Sequence, residues 1–89
     1  MTKGEYRVGI TFNPSNDDMV GQIKRQAADL IDLIERAELP DLEEAIGLGH
    51  RDAIAHQRGE IMRLRALAQT AIEEGAMWAV KAVTKGPMA

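Results

Sequence analysis

Two long stretches of helical periodicity, split by Leu39-Pro40-Asp41, leave this 89-residue chain few folds other than a helical hairpin. In the first stretch Val20, Ile23, Ala27, Leu30, Ile31 and Ile34 recur at spacings of three and four. Lys24, Arg25, Asp29, Asp32, Glu35 and Arg36 fall largely off that stripe. The pattern predicts a first helix over residues 16–38, roughly 34 Å long at ~1.5 Å per residue. Ser15 is placed to cap it, with Asp18 at the third helical position, where acidic residues suit the positive helix start. The residue before a proline avoids the helical region, so Leu39-Pro40-Asp41 ends the helix. A connector over residues 39–50 follows, with a short helix at residues 42–46 stopped by Gly47 and Gly49. The last helix is expected over residues 51–84, bent at Gly59. Its stripe is Ile54, Ile61, Leu64, Ala68, Ile72, Gly75, Ala79 and Ala82, and the small members of that run admit a second helix closely.

Residues 1–15 read differently. Tyr6, Val8, Ile10 and Phe12 alternate with Arg7, Gly9 and Thr11, a period of two that predicts a short strand or extended arm with one apolar face. A lone strand makes no sheet, so the arm must pair with another chain or lie across the helices. The fold class expected is therefore mainly all-α: one domain over residues 1–89, a hairpin of two long helices preceded by an extended N-terminal arm. A chain this short buries a modest fraction of its surface. With no cysteine there is no disulfide framework or thiolate metal site, which leaves oligomerisation as the extra source of stability.

Charge and composition narrow the function. Eleven basic against 14 acidic residues give a net charge of -3, which argues against nucleic-acid coating but leaves room for one local basic pocket. No run of about 18 apolar residues is present, so no membrane span is expected. Met1-Thr2-Lys3-Gly4-Glu5 lacks the apolar core of a signal peptide, so the expected location is the cytoplasm.

The enzymatic constellations are thin. His50 and His56 are six apart and do not share a helical face; Asp52 and His56 do, but a metal site needs three or four convergent ligands, so no metal is expected. Glu35, Glu38, Asp41 and Glu44 suggest a helical magnesium set, yet Pro40 interrupts it and no matched set follows. Glu73 and Glu74 point to different sides of their helix. Ser15 is the only serine and is explained by capping, so no catalytic residue and no cofactor are expected.

Binding residues are better represented. Phe12, the sole phenylalanine, either staples the arm to the helices or offers a flat face to a base. Lys24 either faces solvent or meets a phosphate as a compact charge. Arg65 and Gln69 share a helix face with each other, near Thr70, and could decorate the helix or reach a ligand between subunits. Trp78 is expected to pack at a helix or subunit contact.

The segment Leu67-Ala68-Gln69-Thr70-Ala71-Ile72-Glu73-Glu74-Gly75-Ala76-Met77-Trp78-Ala79-Val80-Lys81-Ala82-Val83 resembles the C-terminal signature of a phage helical-hairpin family, anti-CBASS protein 2-like, that counters CBASS (cyclic-oligonucleotide-based antiphage signalling) and Thoeris defence. Phe12-Asn13-Pro14 is similar to the aromatic-then-proline element that the family places ahead of its first helix, and Ile23-Lys24 to its helical Ile-Lys pair. The likeness covers most of the chain outside about residues 39–59. It implies a sponge without chemistry, which binds cyclic dinucleotides, and in some members cyclic trinucleotides at separate sites, between subunits of a homohexamer built as a trimer of dimers. It implies that Phe12 stacks on a base and Lys24 meets a phosphate, and it matches Thr70 to the family's threonine; Asn13, Pro14, Arg25, Arg65 and Gln69 are the further candidates for ligand contact. Phe12 stands where the family often has tyrosine, and the Thr84-Lys85-Gly86-Pro87 ending departs from the common tail.

Two other readings compete. The order strand, helix, helix fits a ribbon–helix–helix DNA-binding regulator, with Arg7, Gly9 and Thr11 facing bases. A helical adaptor without a ligand is the third.

Overall fold

Thr2 opens the chain's first helix rather than an arm. A computed structural model describes residues 1–47 and 49–88. In it α1 spans Lys3–Val8, α2 Asp18–Arg36, α3 Leu42–Ile46 and α4 Arg51–Val83. No strand occurs among the described residues. The protein is all-α, a hairpin of α2 and α4 with two short helices added.

The helix in place of the expected extended arm is the main correction. Thr2 and Glu5 form a reciprocal capping box: the Glu5 amide donates to Thr2 Oγ1 at 3.1 Å and the Thr2 amide to Glu5 Oε1 at 2.8 Å. Gly9 closes the helix at φ 64°, a left-handed conformation that glycine adopts without steric cost. The amides of Gly9 and Ile10 return to the carbonyls of Tyr6 and Glu5. Two specific ends outweigh the alternation of Tyr6, Val8, Ile10 and Phe12, and no apolar strand face results, since Tyr6 and Phe12 are exposed. The ribbon–helix–helix reading, which needs that strand, falls with it.

A second correction concerns the start of α2. Asp17, not Ser15, is the N-cap, accepting from the Met19 amide at 2.8 Å. Ser15 braces the turn before it, donating to Asn13 Oδ1 and accepting from the Asp17 amide. Asp41 caps α3, and Leu42 is buried on the α4 side of that short helix. Leu48, within the expected connector, lies outside the described residues. α4 passes through Gly59 without interruption.

Val20, Ala28 and Ile31 of α2 are buried, with Ile54 and Ala76 of α4. The stripe expected along α4 is divided between two faces. Ile54 is buried and Ile61, Ile72 and Ala79 half-buried, whereas Leu64, Ala68, Gly75 and Ala82 are exposed. Trp78 is 60% exposed, with the Lys81 ammonium 5.5 Å from its ring centre. The chain forms a slab of 65 × 26 × 14 Å with a radius of gyration of 18.0 Å, against about 12 Å for a compact domain of this length.

α1 is locked across α2 by a close backbone approach at Gly4. The Gly4 amide donates to Asp32 Oδ1 at 2.7 Å. A Cβ at Gly4 would sit 2.8 Å from both the Ala28 carbonyl carbon and that carboxylate oxygen. Charged links reinforce the lock. Lys3 reaches Glu35 at 2.9 Å, and Gln69, fully buried, donates to the Ile31 carbonyl and to Glu35 while accepting from Lys3. Gly4→Ala is expected to lower stability by about 1–3 kcal/mol, as overpacking does, measurable as a lower urea midpoint. Gly21→Ala, at a site with no heavy atom within 4 Å of its Cβ position, is the control without a steric penalty.

Candidate functional site

The lock on α1 creates a cleft. The end of α1, the turn after it and the last three turns of α4 enclose an open cavity of about 580 Å³, within the range of small-molecule sites. Tyr6, Arg7 and Val8 come from α1, and Gly9 and Phe12 from the turn. Lys24 enters from α2, while Glu73, Glu74, Met77 and Val80 line the α4 wall.

Lys24 organises this arrangement. It belongs to the α2 face that packs inward and is buried, which its place off the apolar stripe did not foretell. Its ammonium donates to the Gly9 carbonyl at 3.0 Å and to the Phe12 carbonyl. The Phe12 amide in turn donates to the Gly9 carbonyl at 2.9 Å. The charge thus ties down the turn that carries Phe12, and the Phe12 ring stands 5.4 Å from the ammonium, within cation–π range. That ring is 69% exposed, so an apolar face is presented to solvent next to a fixed positive charge.

Arg7 is the second cation. Its Nε donates to Glu73 at 3.0 Å and its Nη2 to Thr70 Oγ1 at 3.1 Å. Arg7 and Lys24 are balanced in formal charge by Glu73 and Glu74, so the cleft lining is neutral overall, with Arg7 paired directly to Glu73.

Of the expected binding residues, Phe12 and Lys24 meet in the cleft. Thr70 stands behind Arg7 as its hydrogen-bond acceptor. Asn13 shapes the turn by donating to the Asp17 carbonyl, and Pro14 is exposed on that turn; neither lines the cleft. Arg25 faces Glu5 and Asp29, both at 2.8 Å. Arg65 donates to the Glu35 carbonyl, and Gln69 is the buried cross-link between α2 and α4. Tyr6, Arg7, Glu73 and Met77 were not singled out as cleft residues from sequence. Reading Thr2-Lys3-Gly4-Glu5 as a capping box would have made α1 a helix, but only packing sets Arg7 against Glu73.

Among the described residues no cluster of His, Asp or Glu side chains could hold a metal ion. No described helix is long and apolar enough to cross a membrane.

Fold and cleft together define a small helical-hairpin protein with an aromatic ring and an organised cation at an open pocket. A family model described as Acb2/Tad1, hairpin domain, matches residues 4–84, and the chain belongs to that family, the anti-CBASS protein 2 family. The family fits a phage anti-defence protein of the binding type. Searches among curated proteins and among solved structures returned no match.

The Arg25 pairing gives the site's support a pH dependence. The Arg25 guanidinium, and then the Thr2 amide, pull the Glu5 carboxyl from an ordinary 4.5 to about 2. Because the folded value is the lower one, this contribution is complete above about 4.5 and is lost as pH falls toward about 2. The melting temperature is therefore expected to drop more steeply over that range in the wild type than in Glu5→Gln. The difference should shrink in high salt, since the pair is exposed. Thermal unfolding by circular dichroism across pH measures it.

Proposed function

We propose that this protein binds and sequesters cyclic oligonucleotide second messengers, cyclic dinucleotides above all and cyclic trinucleotides as a second class, without cleaving them. By depleting the messenger it blocks CBASS-type antiphage signalling in the host bacterial cytoplasm during phage infection. The observation that carries the reading is the exposed Phe12 ring held beside the buried Lys24 ammonium at the cleft, in a chain of this family. Phe12 stacks on a base, and the one Lys24 N–H not given to the turn carbonyls is directed to a phosphate. Binding needs neither nucleophile nor general base.

Self-association, as a homohexamer built as a trimer of dimers, is part of the same proposal. Leu64, Ala68, Ala71, Gly75, Trp78 and Ala82 recur along α4 at alternating spacings of four and three, and all are exposed. That is a heptad seam of mostly small side chains, suited to close packing of a second helix. The accessible surface is 6661 Å², against about 5,200 Å² for a compact monomer of this mass. The slab has surface to spare for partners.

Calorimetric titration with a panel of cyclic di- and trinucleotides, followed by heat release and chromatography of the ligand, tests the proposal. Tight binding with intact ligand recovered supports a sponge, and linearised ligand indicates a nuclease. No binding to any member brings the adaptor reading forward. Phe12→Ala is expected to cost about 1–3 kcal/mol of cyclic dinucleotide binding. Lys24→Ala should weaken binding too, and both variants should keep the wild-type assembly. Gly75→Glu, which puts a charge in the exposed seam, should instead reduce the mass measured by light scattering while leaving the helical circular dichroism signal in place.

A further inference from the structure

We infer that Arg7 is a second anion-binding residue of the cleft, contributing the charge and the donors for a phosphate that Lys24 cannot serve. The inference rests on the cyclic-nucleotide reading and goes beyond it, since neither Phe12 nor Lys24 accounts for how a doubly charged ligand is neutralised.

Donor counting leads to it. An ammonium has three N–H groups, and Lys24 gives two hydrogen bonds to the Gly9 and Phe12 carbonyls. One is left, from a group that is buried. A guanidinium has five N–H groups, and Arg7 donates one from Nε to Glu73 and one from Nη2 to Thr70. Three remain, including both on Nη1, and the side chain lines the same cleft as Phe12 and Lys24. A phosphate oxygen pair matches the planar fork of a guanidinium.

The two anchors from α4 also matter. Glu73 and Thr70 fix the guanidinium at two points, so little side-chain freedom is lost when a ligand docks. Glu73 balances Arg7 within the protein itself, which lets a cation sit at a partly buried place with its side chain 20% exposed. A phosphate approaching Nη1 adds a second anion to the same guanidinium without displacing the first.

Arg7 also holds α1 to α4, so its loss alone would confound binding with docking. Two variants separate the roles. Arg7→Gln removes the cation, whereas Glu73→Gln breaks the same ion pair and leaves the cation in place. Both would be titrated with cyclic di-AMP and cyclic di-GMP at several salt concentrations. Arg7→Gln should weaken binding roughly tenfold or more and flatten its dependence on salt, because one fewer charge contact is screened. Glu73→Gln should keep the wild-type salt dependence, because the cation stays in the cleft, even where the weaker anchor lowers affinity. An equally flattened salt dependence in both variants, or an Arg7→Gln protein with unchanged affinity and salt dependence, would overturn the inference while leaving the sponge reading in place. A wild-type protein that binds neither nucleotide would overturn both.

Discussion

The close approach of Gly4 to the Ala28 carbonyl, with the Gly4 amide bonded to Asp32, is the contact on which the remaining architecture depends. Six residues are far too few for a stable isolated helix. α1 persists because its ends are capped and because a residue without a side chain lets its backbone sit on α2. Once α1 is seated, the chain leaving Gly9 must turn back toward Asp17, and Phe12 is carried to the rim of the cleft. The ion pairs from Lys3, Arg7 and Arg25 follow from that seating, since each reaches from α1 or its neighbour to a partner on another helix or turn.

Polar groups, rather than apolar bulk, specify how the helices meet. The apolar core is small: Val20, Ala28, Ile31, Leu42, Ile54 and Ala76 are its buried members. Buried among them are Lys24 and Gln69, and both are satisfied by backbone carbonyls. A buried polar side chain with one geometric solution fixes register where a small core would tolerate several. In the same way Lys24 serves fold and site together. The carbonyls of Gly9 and Phe12 accept the hydrogen bonds of its buried ammonium, and the turn they hold presents the aromatic ring.

The cleft has an economy suited to a binding protein. It opens on an exposed aromatic face, and its two cations are matched by two carboxylates. The thin slab leaves the outer seam of α4 uncovered, so the cleft and the seam lie on one long helix without competing for the same residues: Glu73, Glu74, Met77 and Val80 line the one, and Leu64, Ala68, Ala71, Gly75, Trp78 and Ala82 form the other.

Periodicity and helix-breaking residues act locally, so the two long helices, the break at Pro40 and the short helix near Leu42 are legible in the amino-acid pattern. The sequence also marked Phe12 and Lys24, through their likeness to a family pattern, and that family is the one the chain belongs to. It held the signal for α1 as well, in Thr2, Glu5 and Gly9, though the alternation from Tyr6 to Phe12 points the other way. Capping outweighs alternation there because hydrogen bonds at both ends are specific, whereas a strand face needs a partner sheet. The burial of Lys24 under a turn, the crossing of the core by Gln69 and the meeting of Arg7 with Glu73 and Thr70 come from packing between helices. Each depends on residues more than ten positions apart, and a local pattern carries no information about which face of one helix will meet which face of another.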